Sequence, residues 1–377
     1  MKKYDWKTSL TVTLCILKCI GLWPEKFYTC NFYTLYAIFV AIVIVAGHNL
    51  SQIINIFFVY TDLEALTATI FVLTTNILAT IKMCLFVRNL KVIKQLFAVL
   101  DRDQFQPKSA HQRNLLQPSL KFWKVSFVVF HTVVALNVTL WSISPLTNEE
   151  QKLPFLAWYP FNIDISPNYN IVYMYQVTGI WYVTSANISL DTMTYAFFMY
   201  TWSQCDILCD DLSNLDGTVD EFKKKFEECV NHHKEIVRFA NSSNSLFNMI
   251  ILGQLMTSTM VLALTLFQLS LVENFVSHET LPHFCYLTGI SMELFFYCWF
   301  GNEVEIKSSG IPFALYKSNW CQQPISVQKN MLIMSVRCQD PITISALNLF
   351  PLSLKTFVNI LRTAWSYFAV LYNVNNS

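Results

Sequence analysis

Seven stretches of this chain, at roughly 33–59, 65–87, 122–144, 172–201, 246–272, 282–303 and 345–372, are each apolar over about the 20 residues that a helix needs to cross a bilayer. No other property constrains the fold as strongly. Inside hydrocarbon every backbone amide must find its partner within the protein, which leaves helices or closed barrels, and runs of this length select helices. Composition agrees: 14% of the 377 residues are charged, against about 25% in a soluble domain. With 8 glycines and 12 prolines in all, a transporter built on broken, glycine-hinged helices is disfavoured. The expected fold is all-α: a polytopic membrane protein whose residues 1–377 form a single seven-helix domain.

Charge then orients the spans, because cytoplasmic loops carry the excess of Lys and Arg. Lys2, Lys3, Lys7, Lys18 and Lys26 precede the first span. Arg88, Lys91, Lys94, Arg102, Lys108, Arg113, Lys121 and Lys124 lie between the second and third. Lys223, Lys224, Lys225, Lys234 and Arg238 follow the fourth, and Lys307, Lys317, Lys329 and Arg337 follow the sixth. The opposite side receives Lys152, while Lys82, Lys355 and Arg362 fall within spans. The distribution predicts a cytoplasmic amino terminus and an extracellular carboxyl terminus.

The cytoplasmic connections read as helices at about 203–245 and 305–340, with Glu221 and Lys225 spaced to pair along a helix. They would form an intracellular anchor. The amino terminus reads as an amphipathic surface helix stopped by Gly21 and Pro24, not as a cleaved leader. On the outside, the aromatic, proline-rich segment 144–170 is equally a lid or an interfacial anchor. The cysteines sit in spans and basic loops, without the pattern of a disulfide framework. Cys205, Cys209, Cys229, His232 and His233 match no compact metal motif. No nucleophile elbow, phosphate loop or zinc-binding helix is present, so neither an enzyme nor a cofactor is expected, and a net charge of +1 offers no nucleic-acid footprint.

Three stretches resemble insect odorant receptors: "LPFLAWYPFNIDISPNYNIVYMYQ" before the fourth span, "FFYCWFGNEVEIKSSGIPFALYKSNW" at the sixth, and "LSLKTFVNILRTAWSYFAVL" at the seventh. Their order, the chain length and the inverted topology extend the resemblance over the whole chain. The ending lacks the Thr-Tyr…Gln-Phe pattern of gustatory receptors, and the loop after span four lacks the co-receptor's long insertion. The chain thus resembles a variable, odour-tuning subunit. The resemblance implies a heterotetramer with a co-receptor, acting as a ligand-gated, non-selective cation channel in the plasma membrane of a sensory dendrite. It also implies a volatile odorant bound in the outer half of the bundle and a pore lined by the seventh helix. A metabotropic seven-helix chemoreceptor and a gustatory-type receptor are the alternatives.

At 100° per residue, Lys355, Thr356, Asn359, Arg362, Thr363, Ser366 and Tyr367 share one arc of the seventh helix, about 140° wide, and Val370 continues it outward. Such an arc needs a wet or polar partner. Asn359, Thr363 and Ser366 are therefore candidates to line the pore, and Val370 to form a dewetting gate; the alternative is that the stripe packs against its own bundle. The outer halves of spans two, three, four and six offer Phe71, Thr75, Asn137, Trp141, Tyr175, Thr178, Trp181, Tyr286 and Ile290 as ligand-binding candidates. Asn137 is the natural polar anchor for an ester or carbonyl. Asp191 and Glu293, deep in spans four and six, are expected to find partners, and Lys82 to snorkel to the interface.

Overall fold

The computed structural model describes residues 3–25, 28, 31–147, 152–163, 167–271 and 280–376. After a 3-10 turn at Trp6–Leu10 comes α1 (Thr11–Cys19). α2 (Phe32–Val40) runs through a π-helical turn (Ala41–Ala46) straight into α3 (Gly47–Val59). α4 (Leu63–Arg88), α5 (Leu90–Leu100), α6 (Ala110–Ile143), α7 (Asn168–Ser213), α8 (Val219–Leu271) and α9 (Thr280–Ser309) follow. α10 (Ile311–Tyr316), α11 (Ile325–Cys338) and α12 (Leu354–Asn376) complete the described helices. Four rods, Phe32–Val59, Leu63–Arg88, Ala110–Leu146 and Val219–Leu271, are long and apolar enough to cross a membrane on length and composition alone. α7, α9 and α12 carry more polar side chains.

Local signals set the helix ends. The Asp62 side chain accepts from the backbone amides of Glu64 and Ala65 and starts α4. Ser109 starts α6 by accepting from Gln112, whose own side chain returns to the amide of Lys108. Thr218 and Glu221 form a reciprocal capping box at the head of α8, at 3.0 and 3.4 Å. Glu221 is thereby committed, and Lys225 pairs with Asp216 at 2.6 Å rather than with Glu221 as its spacing suggested. The π turn in the first rod misaligns the backbone ladder, and the Val43 carbonyl accepts from the Tyr175 hydroxyl at 2.7 Å.

α7 is the axis of the bundle. It packs against α4, α6, α8 and α9, and every residue from Ile188 to Cys205 is buried. A second apolar cluster joins the end of α7 and the start of α8 to α10 and α11 through Leu212, Phe222, Leu315 and Met331. Three boundaries differ from the sequence reading. The 203–245 helix is broken at 214–218, so its charged part opens α8 instead of continuing α7, and the 305–340 segment is divided at Gly310, between α9 and α10, and again at 317–324, between α10 and α11. The last helix begins at Leu354 rather than near 345, because Leu347 and Asn348 adopt left-handed φ of 49° and 58°. They turn a short antiparallel hairpin, with Ser345 opposite Pro351.

Candidate functional site

Between α4, α6, α7 and α9 lies a cavity of about 110 Å³. Phe71 and Thr75 reach it from α4, Asn137 and Trp141 from α6, and Tyr286 and Ile290 from α9. Six of the nine residues proposed from sequence are therefore gathered around one space. Phe71 meets Tyr286 edge-on at 5.5 Å and Trp141 at 6.0 Å. The Tyr286 hydroxyl donates to Thr75 at 3.3 Å.

Tyr175, Thr178 and Trp181 do not reach the cavity. α7 faces it with Ile180, Val183, Thr184, Asn187 and Ile188, and at 100° per residue Tyr175 and Thr178 fall on the opposite side. Thr178 is exposed and Trp181 is 40% exposed, while Tyr175 is tied to the π turn.

The sequence reading missed the cavity's outer wall. Phe155, from the external segment, stacks on Trp141 at 5.4 Å and meets His48 edge-on. Its backbone is clamped at both ends by the buried side chain of Gln176: the Phe155 amide donates to Oε1, and Nε2 donates to the Phe155 carbonyl, both at 3.0 Å. Trp158 continues the attachment, its amide donating to the Ser51 carbonyl at 3.0 Å and its ring stacking on Phe58. Residues 155–158 thus lie on the bundle as a cover over this end of the cavity. The signal was present in "LPFLAW", but it needed a buried glutamine in the fourth span to have meaning.

Polar groups in the wall fall into two kinds. Asn137 is buried and its side-chain oxygen has no hydrogen-bond partner, and Gln254 Oε1 is in the same state. A buried unsatisfied group costs about 1–3 kcal/mol, so these amides favour a ligand that bonds to them. The second kind is gathered around one buried ammonium. Lys82, with none of its side chain exposed, donates to Asp191 at 2.6 Å, to Asn187 at 2.9 Å and to Glu293 at 3.4 Å. Asn187 donates to Glu293 at 3.1 Å, and the Tyr297 hydroxyl donates to Asp191 at 2.5 Å. Lys82 therefore does not snorkel; it neutralises the acids of two other helices at the cavity's edge, where Asn187 and Glu293 line the space. Gly289 lies on the same wall, and a Cβ there would meet nothing nearer than Asn137 Nδ2 at 3.9 Å.

α12 packs against α8 and α9. Phe357 meets Phe295 edge-on at 5.6 Å, and Ala364 is buried. The opposite side is bare. Asn359, Thr363 and Ser366 are exposed and Val370 is 61% exposed; the two hydroxyls bond to carbonyls of their own helix. The polar arc thus does not pack into this chain's own bundle. Lys355 and Arg362 lie on it, also exposed.

Comparison with known proteins places this architecture. The family model described as 7tm Odorant receptor matches residues 62–365. Odorant receptor Or1 of Anopheles gambiae is 24% identical, over 99% of this chain and 97% of the relative. Odorant receptor 46a, isoform A, of Drosophila melanogaster is 25% identical, over 81% and 82%. The structure of the olfactory receptor OR5 from Machilis hrabei in complex with eugenol has the same fold, with a TM-score of 0.89 at 18% identity, covering 98% of this chain and all of that one. With the family model spanning most of its length, the chain is a membrane protein of the 7tm odorant receptor family.

Proposed function

We propose that this chain is the odour-tuning subunit of a ligand-gated, non-selective cation channel formed with a co-receptor, and that it works in the plasma membrane of a sensory dendrite. In this reading seven spans form one domain with the amino terminus inside, and the helices from the end of α7 to α11 anchor the assembly below the membrane. A volatile odorant occupies the cavity among Phe71, Thr75, Asn137, Trp141, Tyr286 and Ile290, under Phe155. Asn359, Thr363 and Ser366 line the pore, and Val370 forms its outer constriction.

One observation carries the reading: the chain combines a mainly apolar cavity holding unsatisfied amides with a terminal helix whose polar face has no partner in its own bundle. The cavity suits a small, mostly hydrophobic molecule with one hydrogen-bonding group. The bare arc suits a water-filled axis shared with neighbouring subunits. A solved olfactory receptor of this fold is in complex with eugenol, which supports a small organic ligand here.

The test is to co-express the chain with an odorant receptor co-receptor and record currents while a broad odour panel is applied. Fast cation currents that persist when G-protein signalling is blocked are expected. Responses that require G proteins would move the chain to the metabotropic reading, and silence across the panel despite surface expression would contradict both.

A further inference from the structure

The amino-terminal helix carries chemistry that the channel reading leaves unused. Thr13 and Leu17 bury one side of α1, while the exposed side holds Val12, Cys15, Lys18 and Cys19. Cys15 and Cys19 are four residues apart, so their thiols lie one above the other on the same strip. The chain then turns at Gly21, with φ of +86°, and Ile20, Gly21 and Leu22 form one end of an apolar groove of about 700 Å³. Ala37 and Ala41 hollow its floor, Met83 and Val87 of α4 form the far wall, and Arg88 closes one end. The Tyr36 hydroxyl donates to the Cys19 carbonyl at 3.0 Å, and Cys19 directly precedes the Ile20–Leu22 end of the groove, whose α4 wall also carries Cys84. Along the first rod the groove runs from Thr34 to Ala46, about 18 Å at 1.5 Å per residue. One leaflet of hydrocarbon is about 15 Å thick.

We propose that Cys19, with Cys15 as a second acceptor, is S-acylated by a long-chain acyl-coenzyme A, and that the chain attached at Cys19 lies in this groove. Cysteines on amphipathic helices at the membrane surface are the usual acceptors of this modification. The Cys19 sulfur attacks the acyl carbonyl carbon and the new carbon–sulfur bond forms. The bond to the sulfur of coenzyme A breaks, and coenzyme A leaves as the free thiol with the proton that the cysteine gives up. An acyl chain lying there would join α1 to α4 through the Ile20–Leu22 and Met83–Val87 walls. The assignment rests on the cytoplasmic placement of α1 proposed above, since acyl-coenzyme A is supplied from that side.

The full chain, carrying an amino-terminal epitope and co-expressed with the co-receptor, provides the test. Hydroxylamine-dependent capture on thiol resin is expected for wild type and for Cys84→Ser. It should fall to the hydroxylamine-free level in Cys15→Ser/Cys19→Ser. Absent capture from wild type, or capture that survives in the double variant, overturns the acylation. An epitope reached without permeabilising the cells overturns the topology, and the acylation with it. A diazirine-bearing fatty acid fed to the cells should, on photolysis, crosslink to the Met83–Val87 stretch in Cys15→Ser but not in Cys19→Ser. Equal labelling in both would mean that a free lipid fills the groove, and would overturn the placement.

Discussion

Lys82→Met removes the cation from a buried cluster and keeps the length of the side chain. In the native structure one ammonium serves Asp191, Asn187 and Glu293 at 2.6, 2.9 and 3.4 Å, with side-chain exposures of 0%, 0% and 5% for Lys82, Asp191 and Glu293. Methionine leaves two buried acidic side chains without their cation, Asp191 fully enclosed and Glu293 open only to the cavity. Breaking a buried pair from one side costs about 3–5 kcal/mol, which is roughly two to three and a half orders of magnitude in the folding equilibrium. The full chain, fused to a fluorescent protein and extracted in detergent with the co-receptor, can be followed by its thermal midpoint and its surface level. Both should drop sharply in Lys82→Met. Lys82→Met/Asp191→Asn/Glu293→Gln removes all three formal charges and keeps the shapes, so most of the loss should return. A single variant as stable as wild type, or a triple variant no better than the single, would refute the reasoning.

Three further outcomes are expected. His232 is 4% exposed; burial pushes its imidazole down to about 4, with Asp211 opposing and Lys108 and His233 adding to the shift. The unfolded chain binds the proton first, so stability is full above about 6.5 and falls as pH drops from there towards 4, by about 3 kcal/mol; His232→Gln should flatten that slope in detergent melts, and an unchanged slope would clear this residue. Gly301→Ala places a Cβ 2.3 Å from the Leu352 Cβ, which forces α9 off the terminal hairpin. About 1–3 kcal/mol of destabilisation is expected in the same assay, and wild-type melting would contradict the close approach. Val370→Ala should widen the proposed constriction and raise the odour-independent current; unchanged conduction and block would remove Val370 from the gate.

How much of this was legible in the sequence depended on whether the signal was local. The long apolar blocks announced the helices, because crossing hydrocarbon is a demand that every residue of a span answers. The bare arc of α12 was readable for the same reason: Asn359, Thr363 and Ser366 are polar where the rest of the turn is not. The phase of α7 was not readable, since a helix buried on all sides from Ile188 to Cys205 has no polar face to orient it. Around Tyr175, Thr178 and Trp181 the helix does have an exposed side, but in a membrane protein that side is aromatic and apolar too, so composition does not separate it from the cavity side. The Lys82 cluster joins residues 109 and 211 positions apart, so a lysine near a span end looked like a snorkelling one until its partners stood beside it. Gln176 and Phe155 show the same limit, since a two-point clamp between a helix and a loop leaves no spacing pattern. The hairpin at 345–351 was hidden by apolar residues that read as the start of the last helix.

The central claim is that an odorant in the cavity between α4, α6, α7 and α9 opens the channel, and Gly289→Leu tests it most directly. A Cβ at this position meets only Asn137 Nδ2, at 3.9 Å, on the cavity wall, so the larger side chain is directed at the ligand space, and replacing a helical glycine favours the helix by up to about 1 kcal/mol. Odour-evoked and basal currents would be recorded with the co-receptor at matched surface levels. The odour response should disappear or shift to much higher concentration while basal current is unchanged. A dose–response curve identical to wild type would contradict it.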